Sequence, residues 1–108
     1  MPCHPATYMV GTVTDAVSHR PISDAVVRLY FYEIRTARSG CFALGGADGL
    51  PFEFRVSAPG YKPLVAKAVP GSYRTTVMLI SESNAGVSSS EPRAISREQY
   101  AEFSQGCR

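Results

Sequence analysis

The stretch that decides the fold reads Phe52-Glu53-Phe54-Arg55-Val56-Ser57-Ala58-Pro59-Gly60-Tyr61. Apolar residues alternate with charged or polar ones over its first part, which is the period of a β-strand with one buried face. We therefore predict a strand with Phe52, Phe54 and Val56 turned toward a core. Pro59-Gly60-Tyr61 is a turn signal that ends this strand.

A second regular alternation runs from Ala25 to Glu33 and predicts one continuous strand. Its odd and even positions should lie on opposite faces of a sheet. The inward side chains are predicted to be Val27, Leu29 and Phe31, and the outward ones Arg28, Tyr30 and Tyr32.

Other segments rich in β-branched and aromatic residues predict further short strands. They are Tyr8–Thr14, Glu33–Arg38 (a short or edge strand), Cys41–Leu44, Leu64–Val69 and Tyr73–Ile80. Ser39-Gly40 and Pro70-Gly71 predict turns, and residues 45–49 predict a flexible glycine-rich loop. About seven short strands at this spacing are typical of an all-β, Greek-key β-sandwich, which we assign to residues 7–80.

The sequence changes character after Ile80. Residues 81–92 are polar and serine-rich, which predicts a linker, and residues 93–108 form a tail. Within that tail, Ser96 and Gln99 have the spacing of a capping box and predict a short helix from Arg97 to about Ser104. Tyr100 and Phe103 would share one side of it, and Gly106 would end it. So short a helix should form only if those aromatics dock on the sandwich.

The composition fits one small globular domain. The chain has 108 residues with 44% hydrophobic and 19% charged residues and a net charge of +2. The basic residues are scattered along the chain, which argues against nucleic-acid binding. No apolar run has transmembrane length, and no motif indicates a cofactor. The first residues contain no signal peptide and fit either a natural start or a chain whose export signal has been removed.

Four short motifs in order resemble the carboxypeptidase regulatory-like domain, a transthyretin-like sandwich. They are Gly11-Thr12-Val13-Thr14-Asp15, the run from Arg20 to Val27, Ser39-Gly40-Cys41-Phe42-Ala43-Leu44 and the run from Phe54 to Tyr61. The resemblance implies that the fold-defining residues are Gly11, Gly40, Phe42, Gly60 and Tyr61. Gly11 and Gly40 can take backbone conformations closed to other residues, and Gly60 lets the chain turn. The Tyr61 ring can cover the sandwich edge with its hydroxyl in water.

The same resemblance implies a non-catalytic accessory, binding or structural domain in the periplasm or cell envelope. The expected partner is an unidentified protein or envelope component. Because one fold hosts many functions, the resemblance by itself does not assign the role.

An enzyme similar to the hydroxyisourate hydrolases, which form one transthyretin-like branch, is a second alternative function. The catalytic histidine of that branch would fall at Thr12, and threonine cannot act as a base near neutral pH. No catalytic residue is therefore predicted. A metal site would need His4 and His19 to meet Asp15 or Asp24, but both histidines lie in expected surface segments, and no metal is predicted.

Carbohydrate binding is the alternative function. Tyr30, Tyr32 and Tyr73 could offer exposed faces for stacking sugars, although the chain lacks tryptophan. The competing interpretation is that these tyrosines pack locally on the sheet or against the tail.

The three cysteines suggest how the tail is held. Cys41 should point away from the core, and Cys107 follows the predicted helix, so a disulfide between them would pin that helix on the outer face of a sheet. A Cys3–Cys107 pair and free thiols remain alternatives at this point. Cys3 also lies near the N-terminus, where bacterial lipoproteins carry a lipidated cysteine, although no lipobox precedes it. Membrane contact is expected only through such an anchor.

Overall fold

The computed structural model describes residues 7–29, 32–47, 52–68 and 71–107. In chain order, these ranges contain β1 (Thr7–Asp15), β2 (Val26–Leu29), β3 (Tyr32–Arg35), β4 (Cys41–Ala47), β5 (Phe52–Ser57), β6 (Leu64–Ala68), β7 (Gly71–Leu79), β8 (Ser89–Ala94) and α1 (Arg97–Gly106). The strands form two four-stranded sheets. We call them the front sheet, with order β4-β1-β7-β8, and the back sheet, with order β3-β2-β5-β6. The predicted all-β sandwich with a short C-terminal helix is confirmed.

The core lies between the sheets and follows the alternation of the strands. On β5, Phe54 and Val56 are buried as predicted, while the side chain of Phe52 lies outside the described residues. Other large core side chains come from β1, β2, β4 and β7: Met9, Val13, Val27, Leu29, Phe42, Leu44, Tyr73, Val77 and Leu79. Within the described ranges, no helix has the length and apolar character needed to cross a membrane.

β1 lies in the middle of the front sheet, antiparallel to β4 and parallel to β7. Gly11 has no side chain because there is no room for one. A Cβ there would overlap the carbonyl oxygen of Thr75 and lie 2.9 Å from Cζ of Phe42. Its φ is not in the left-handed region, so close approach, and not the predicted backbone freedom, explains this glycine. Gly40 does have such a conformation, with a φ of 80°, and Gly60, in its predicted turn, has a φ of 84°.

The predicted continuous strand from Ala25 to Glu33 is wrong. The chain reverses between Leu29 and Tyr32, and β2 and β3 form an antiparallel hairpin. This reversal places Glu33 opposite Arg28, where the carboxylate accepts from the guanidinium at 2.5 Å. Arg28 lowers the pKa of Glu33 for this reason. The hairpin also turns Ile34 toward the core. Tyr30 and Phe31, predicted outward and inward, lie outside the described residues.

Two segments predicted as loop or linker belong to strands. Gly45–Ala47 extend β4, where Gly45 pairs with Tyr8. Ser89–Ala94 form β8 on the edge of β7, so the polar segment after Ile80 ends in a strand that satisfies the backbone of β7. Ser88 fixes the start of this return, because its hydroxyl accepts from the Ile80 amide at 3.1 Å and donates to the Lys62 carbonyl at 2.8 Å.

Tyr61 joins the two sheets at one end. Its hydroxyl donates to a carboxylate oxygen of Asp15 at 2.7 Å, which corrects the expectation that this hydroxyl points into water. The other Asp15 oxygen accepts from the amides of Val17 and Ser18 at 2.8 and 2.9 Å. These bonds favour the ionised form and lower the pKa of Asp15 from 3.8 to about 2. The same contact raises the pKa of Tyr61.

We expect Asp15 to make the fold sensitive to acid. Because its folded-state pKa is lowered, its contribution is complete above the unfolded value of 3.8 and is lost as the pH falls toward about 2. The free energy of unfolding, measured by urea titration from about pH 5 to about pH 2, should fall more steeply for the wild type than for Asp15→Asn. Tyr61→Phe should show an intermediate slope. Equal slopes for the wild type and Asp15→Asn would show that Asp15 does not carry this dependence.

Two threonines are buried in the fold with different hydrogen bonding. The Thr36 hydroxyl accepts from the Ala25 amide at 2.9 Å and donates to the Ile22 carbonyl at 2.7 Å, which ties the start of β2 to the chain after β3. The Thr75 hydroxyl faces the core beside Gly11 and has no partner among the described residues. A buried hydroxyl without a partner opposes folding, whereas a bonded one supports it.

The same substitution should therefore have opposite effects at these two sites. Thr36→Val should lower the free energy of unfolding by about 1–3 kcal/mol, because two backbone groups lose their partner. Thr75→Val keeps the branched shape and removes the unpaired hydroxyl. This substitution should raise the free energy of unfolding by up to about 1 kcal/mol. Urea unfolding of both variants under one buffer condition checks this. A loss at Thr75 as large as that at Thr36 would mean that its hydroxyl is bonded.

Candidate functional site

The outer face of the front sheet is covered by α1. Tyr8, Val10 and Thr12 lie on the face of β1 opposite Met9 and Val13, so they point away from the inter-sheet core. Val10 is nevertheless fully buried, and α1 contacts β1, β4 and β7. The central strand is therefore buried on both faces. We call the residues on this face and the side of α1 that touches them the helix-covered face.

Tyr8 is the centre of the contact near the start of the helix. Its ring meets that of Tyr100 edge to face, with centroids 5.2 Å apart at 72°. The Arg97 guanidinium lies 3.7 Å from the centroid of the Tyr8 ring. Gly45 leaves space for the two tyrosine rings, because a Cβ there would overlap the Tyr100 hydroxyl and approach Cδ1 of Tyr8 to 2.9 Å. Burial raises the pKa of Tyr100.

The sequence determines where α1 begins. Ser96 has extended backbone, its hydroxyl accepts from the Gln99 amide at 3.1 Å, and the Gln99 side chain accepts from the Ser96 amide at 2.9 Å. This is the predicted capping box. Further along the helix, the guanidinium of Arg74 lies 5.0 Å from the centroid of the Phe103 ring. The helix reaches Gly106, two residues beyond the predicted end.

A disulfide between Cys41 and Cys107 fastens the far end of α1 to β4. The Cα atoms are 5.6 Å apart and the residues are separated by 66 positions. Cys41 is 7% exposed and faces away from Phe42, as predicted. A loop of this length corresponds to about 4 kcal/mol of stabilisation in the chain-entropy account. Cys3 lies outside the described residues.

The tyrosines proposed as a sugar-stacking surface are not brought together. Tyr73 is 3% exposed, and its hydroxyl donates to the sulfur of Met9 at 3.0 Å, so the prediction of an exposed face is wrong there. Its position on β7 has the same parity as Val77 and Leu79, which places it on the core side. Tyr32 is 44% exposed on the edge strand β3, and Tyr30 lies outside the described residues.

The histidine, acidic and threonine positions do not assemble into a reactive centre. His19 is exposed in the turn after β1, where its amide donates to the Asp15 carbonyl at 2.9 Å. The Asp24 carboxylate lies 3.6 Å from Arg35, and His4 lies outside the described residues. The described part of the chain holds no group of three or more His, Cys, Asp or Glu suited to a metal ion. Thr12 pairs with Cys41 beside the disulfide.

Sequence reasoning missed Tyr8, Val10, Gly45 and Arg74 as parts of the helix-covered face. A signal was present in β1, because Tyr8, Met9 and Val10 are consecutive apolar residues. A strand with apolar side chains on both faces is expected to be covered on both. Gly45 carried a weaker signal, since a glycine inside a strand often marks the close approach of another group.

The fold and this face define a compact β-sandwich domain with a disulfide-fastened helix. The family model of the carboxypeptidase regulatory-like domain matches residues 9–81. The chain therefore belongs to the carboxypeptidase regulatory-like domain family, whose domains are typically non-catalytic. The matched residues run from Met9 in β1 to the end of β7 and stop before β8 and α1.

A solved structure from Bacteroides fragilis NCTC 9343 has the same fold. That protein is of unknown function and thought to be membrane-associated, and it is 22% identical to this chain with a TM-score of 0.60. The match covers 78% of this chain but 31% of the other, so this chain corresponds to less than a third of that protein. No curated protein shows significant similarity to the chain.

The space above Gly45 gives a test of helix docking. Gly45→Ala should displace Tyr100 and lower the free energy of unfolding by about 1–3 kcal/mol, as overpacking does elsewhere. Gly106→Ala is the matched control, because a Cβ there meets nothing within 4 Å and alanine favours a helix. Urea unfolding and the amide chemical shifts of residues 97–106 would be measured with the disulfide intact. Wild-type stability and shifts in Gly45→Ala would show that Tyr100 does not rest on this strand.

Proposed function

We propose that this chain is a non-catalytic accessory domain of an exported or cell-envelope protein. The observation that carries the proposal is the Cys41–Cys107 disulfide that fastens α1 to the front sheet. Disulfides persist in oxidising compartments and are rare in reducing ones. A domain that depends on such a bond to hold its last element would be suited to the periplasm, the envelope or the cell exterior.

Two further observations support this proposal. The chain matches less than a third of its Bacteroides fragilis neighbour, as expected if such sandwiches occur as modules within longer proteins. That neighbour is thought to be membrane-associated. The role proposed here is to bind or position an envelope partner, since the helix-covered face is built from packing contacts and carries no set of reacting groups.

The proposal includes membrane attachment through Cys3. A thiol near the N-terminus is the position at which a lipid anchor would leave the sandwich free to face its partner. A single acyl chain gives marginal binding, so stable attachment would require more than one chain. Carbohydrate stacking has less support, because Tyr73 is buried and, among the described residues, Tyr32 is the one exposed side chain of the three candidate tyrosines.

The test is peptide mass mapping without reduction, on the protein from its own membrane and soluble fractions. Thiols would be alkylated in intact cells before lysis, so that no disulfide forms afterwards. The expected result is a linked peptide containing Cys41 and Cys107, with a lipid mass on Cys3 in the membrane fraction. Alkylated Cys41 and Cys107 would overturn the proposed location, and an alkylated, unlipidated Cys3 would overturn the anchor.

A further inference from the structure

A polar cleft lies where β7 and β8 meet the start of α1. Its volume is about 510 Å³, and its wall includes Arg74, Thr76, Glu91, Arg93 and Gln99. We call it the arginine cleft. It is separate from the Tyr8 and disulfide contacts that hold the helix, and neither the family match nor the structural neighbour assigns a role to it.

Two arginines lie side by side in this cleft, on neighbouring strands. Arg74 on β7 is paired in register with Arg93 on β8, so both side chains leave the same face of the front sheet. Opposite residues on antiparallel strands have Cβ atoms about 5 Å apart, and like charges in such pairs are destabilising. Neither guanidinium forms an ion pair with any of the described residues.

The back sheet contains a comparison. Arg28 and Arg55 are also opposite each other on antiparallel strands. There, Glu33 lies on the other side of Arg28 and accepts from its guanidinium. One arginine of the back-sheet pair therefore has a carboxylate as ion-pair partner, whereas neither arginine of the cleft has one among the described residues.

Some groups of the cleft are held in place by contacts with the rest of the domain. The guanidinium of Arg74 lies over the Phe103 ring, and the main chain between β8 and α1 is fixed by a bond from the Ile95 amide to the Ser72 carbonyl at 3.1 Å. The Gln99 side-chain oxygen accepts from the Ser96 amide, which leaves the Gln99 NH₂ group as a donor. Fixed donors lose less entropy when a ligand binds.

We propose that the arginine cleft binds a small ligand that carries a carboxylate or phosphate group together with hydroxyl groups. Arg74 and Arg93 would hold the anionic group from two sides, because guanidinium matches both oxyanions in geometry and charge. Thr76 and Gln99 can donate to its remaining oxygens. Glu91 is a carboxylate on the same wall, so it disfavours a bare anion and favours a ligand whose hydroxyl groups can donate to it.

Three probes that share one sugar skeleton test this proposal. Glucuronate carries a carboxylate, glucose 6-phosphate carries a phosphate ester, and glucose is neutral. Each would be titrated into the oxidised chain of residues 1–108 at constant ionic strength while amide chemical shifts are recorded. The expected result is saturable change centred on residues 74 and 93 with at least one of the two anions, and weaker or absent change with glucose.

Two matched variants assign the binding to the cleft. Arg93→Gln should lower the affinity for the anion by roughly tenfold or more. A hydrogen bond to a charged group contributes about one power of ten in affinity. Arg55→Gln removes the same charge from the other arginine pair and should keep affinity within about twofold. Arg93→Gln should be at least as stable as the wild type by thermal unfolding, because a like-charge contact is removed.

The outcomes separate the proposal from its alternatives. Binding of either anion that Arg93→Gln loses and Arg55→Gln keeps would support the cleft and name the anionic group it prefers. No saturable change with either anion would overturn the proposal. Equal weakening in both variants would also overturn it, because general charge would then explain the binding. Equal affinity for glucose would show that the anionic group is not recognised.

Discussion

The burial of β1 on both faces is the constraint on which the rest of the structure depends. Its inner face, with Met9 and Val13, is covered by the back sheet, as in any sandwich. Its outer face carries Tyr8 and Val10, and Val10 is fully buried without belonging to the inter-sheet core. Burying a side chain of this size contributes about 1.5–3 kcal/mol. The sandwich therefore needs a third layer over its front sheet.

That requirement explains the C-terminal segment. A helix as short as α1 is marginal in water, and none of its residues is fully buried. It is held by local and remote contacts together: the capping box at its start, the aromatic contact between Tyr8 and Tyr100, and the disulfide at its end. The disulfide restricts the unfolded chain more than it adds contact area. A weak helix thereby becomes a fixed part of the domain.

The predictable parts of the fold are those in which side-chain pattern and burial agree. Phe54 and Val56 alternate with charged neighbours, and they are buried as the alternation requires. Ser96 and Gln99 specify the helix start through local bonds that need no knowledge of the fold. The outward position of Cys41 follows from its neighbours Phe42 and Leu44, and it was sufficient to favour the partner that the structure shows.

The parts that sequence reasoning missed depend on pairing between strands. No glycine or proline lies between Leu29 and Tyr32, where the chain reverses. The alternation of side chains by itself therefore predicts one uninterrupted strand. β8 has a polar sequence that includes Pro92. It is a strand because the backbone N–H and C=O groups on the free side of β7 need hydrogen-bond partners. Tyr73 has the same parity as Val77 and Leu79 and is buried, although a tyrosine by its residue type alone fits an exposed position as well.

The arginine cleft is where local preference and the observed structure disagree most. Polar β8 could present many side chains to Arg74, and a carboxylate there would complete an ion pair of the kind that Arg28 forms with Glu33. The register instead places Arg93 opposite Arg74 and Glu91 opposite Thr76. Sites where a chain keeps a locally unfavourable arrangement are expected to be functional ones. The helix that closes the front sheet also forms one wall of this cleft, because Gln99 both starts α1 and lines the cavity. The same C-terminal segment thus covers the central strand and completes the surface that we assign to ligand binding.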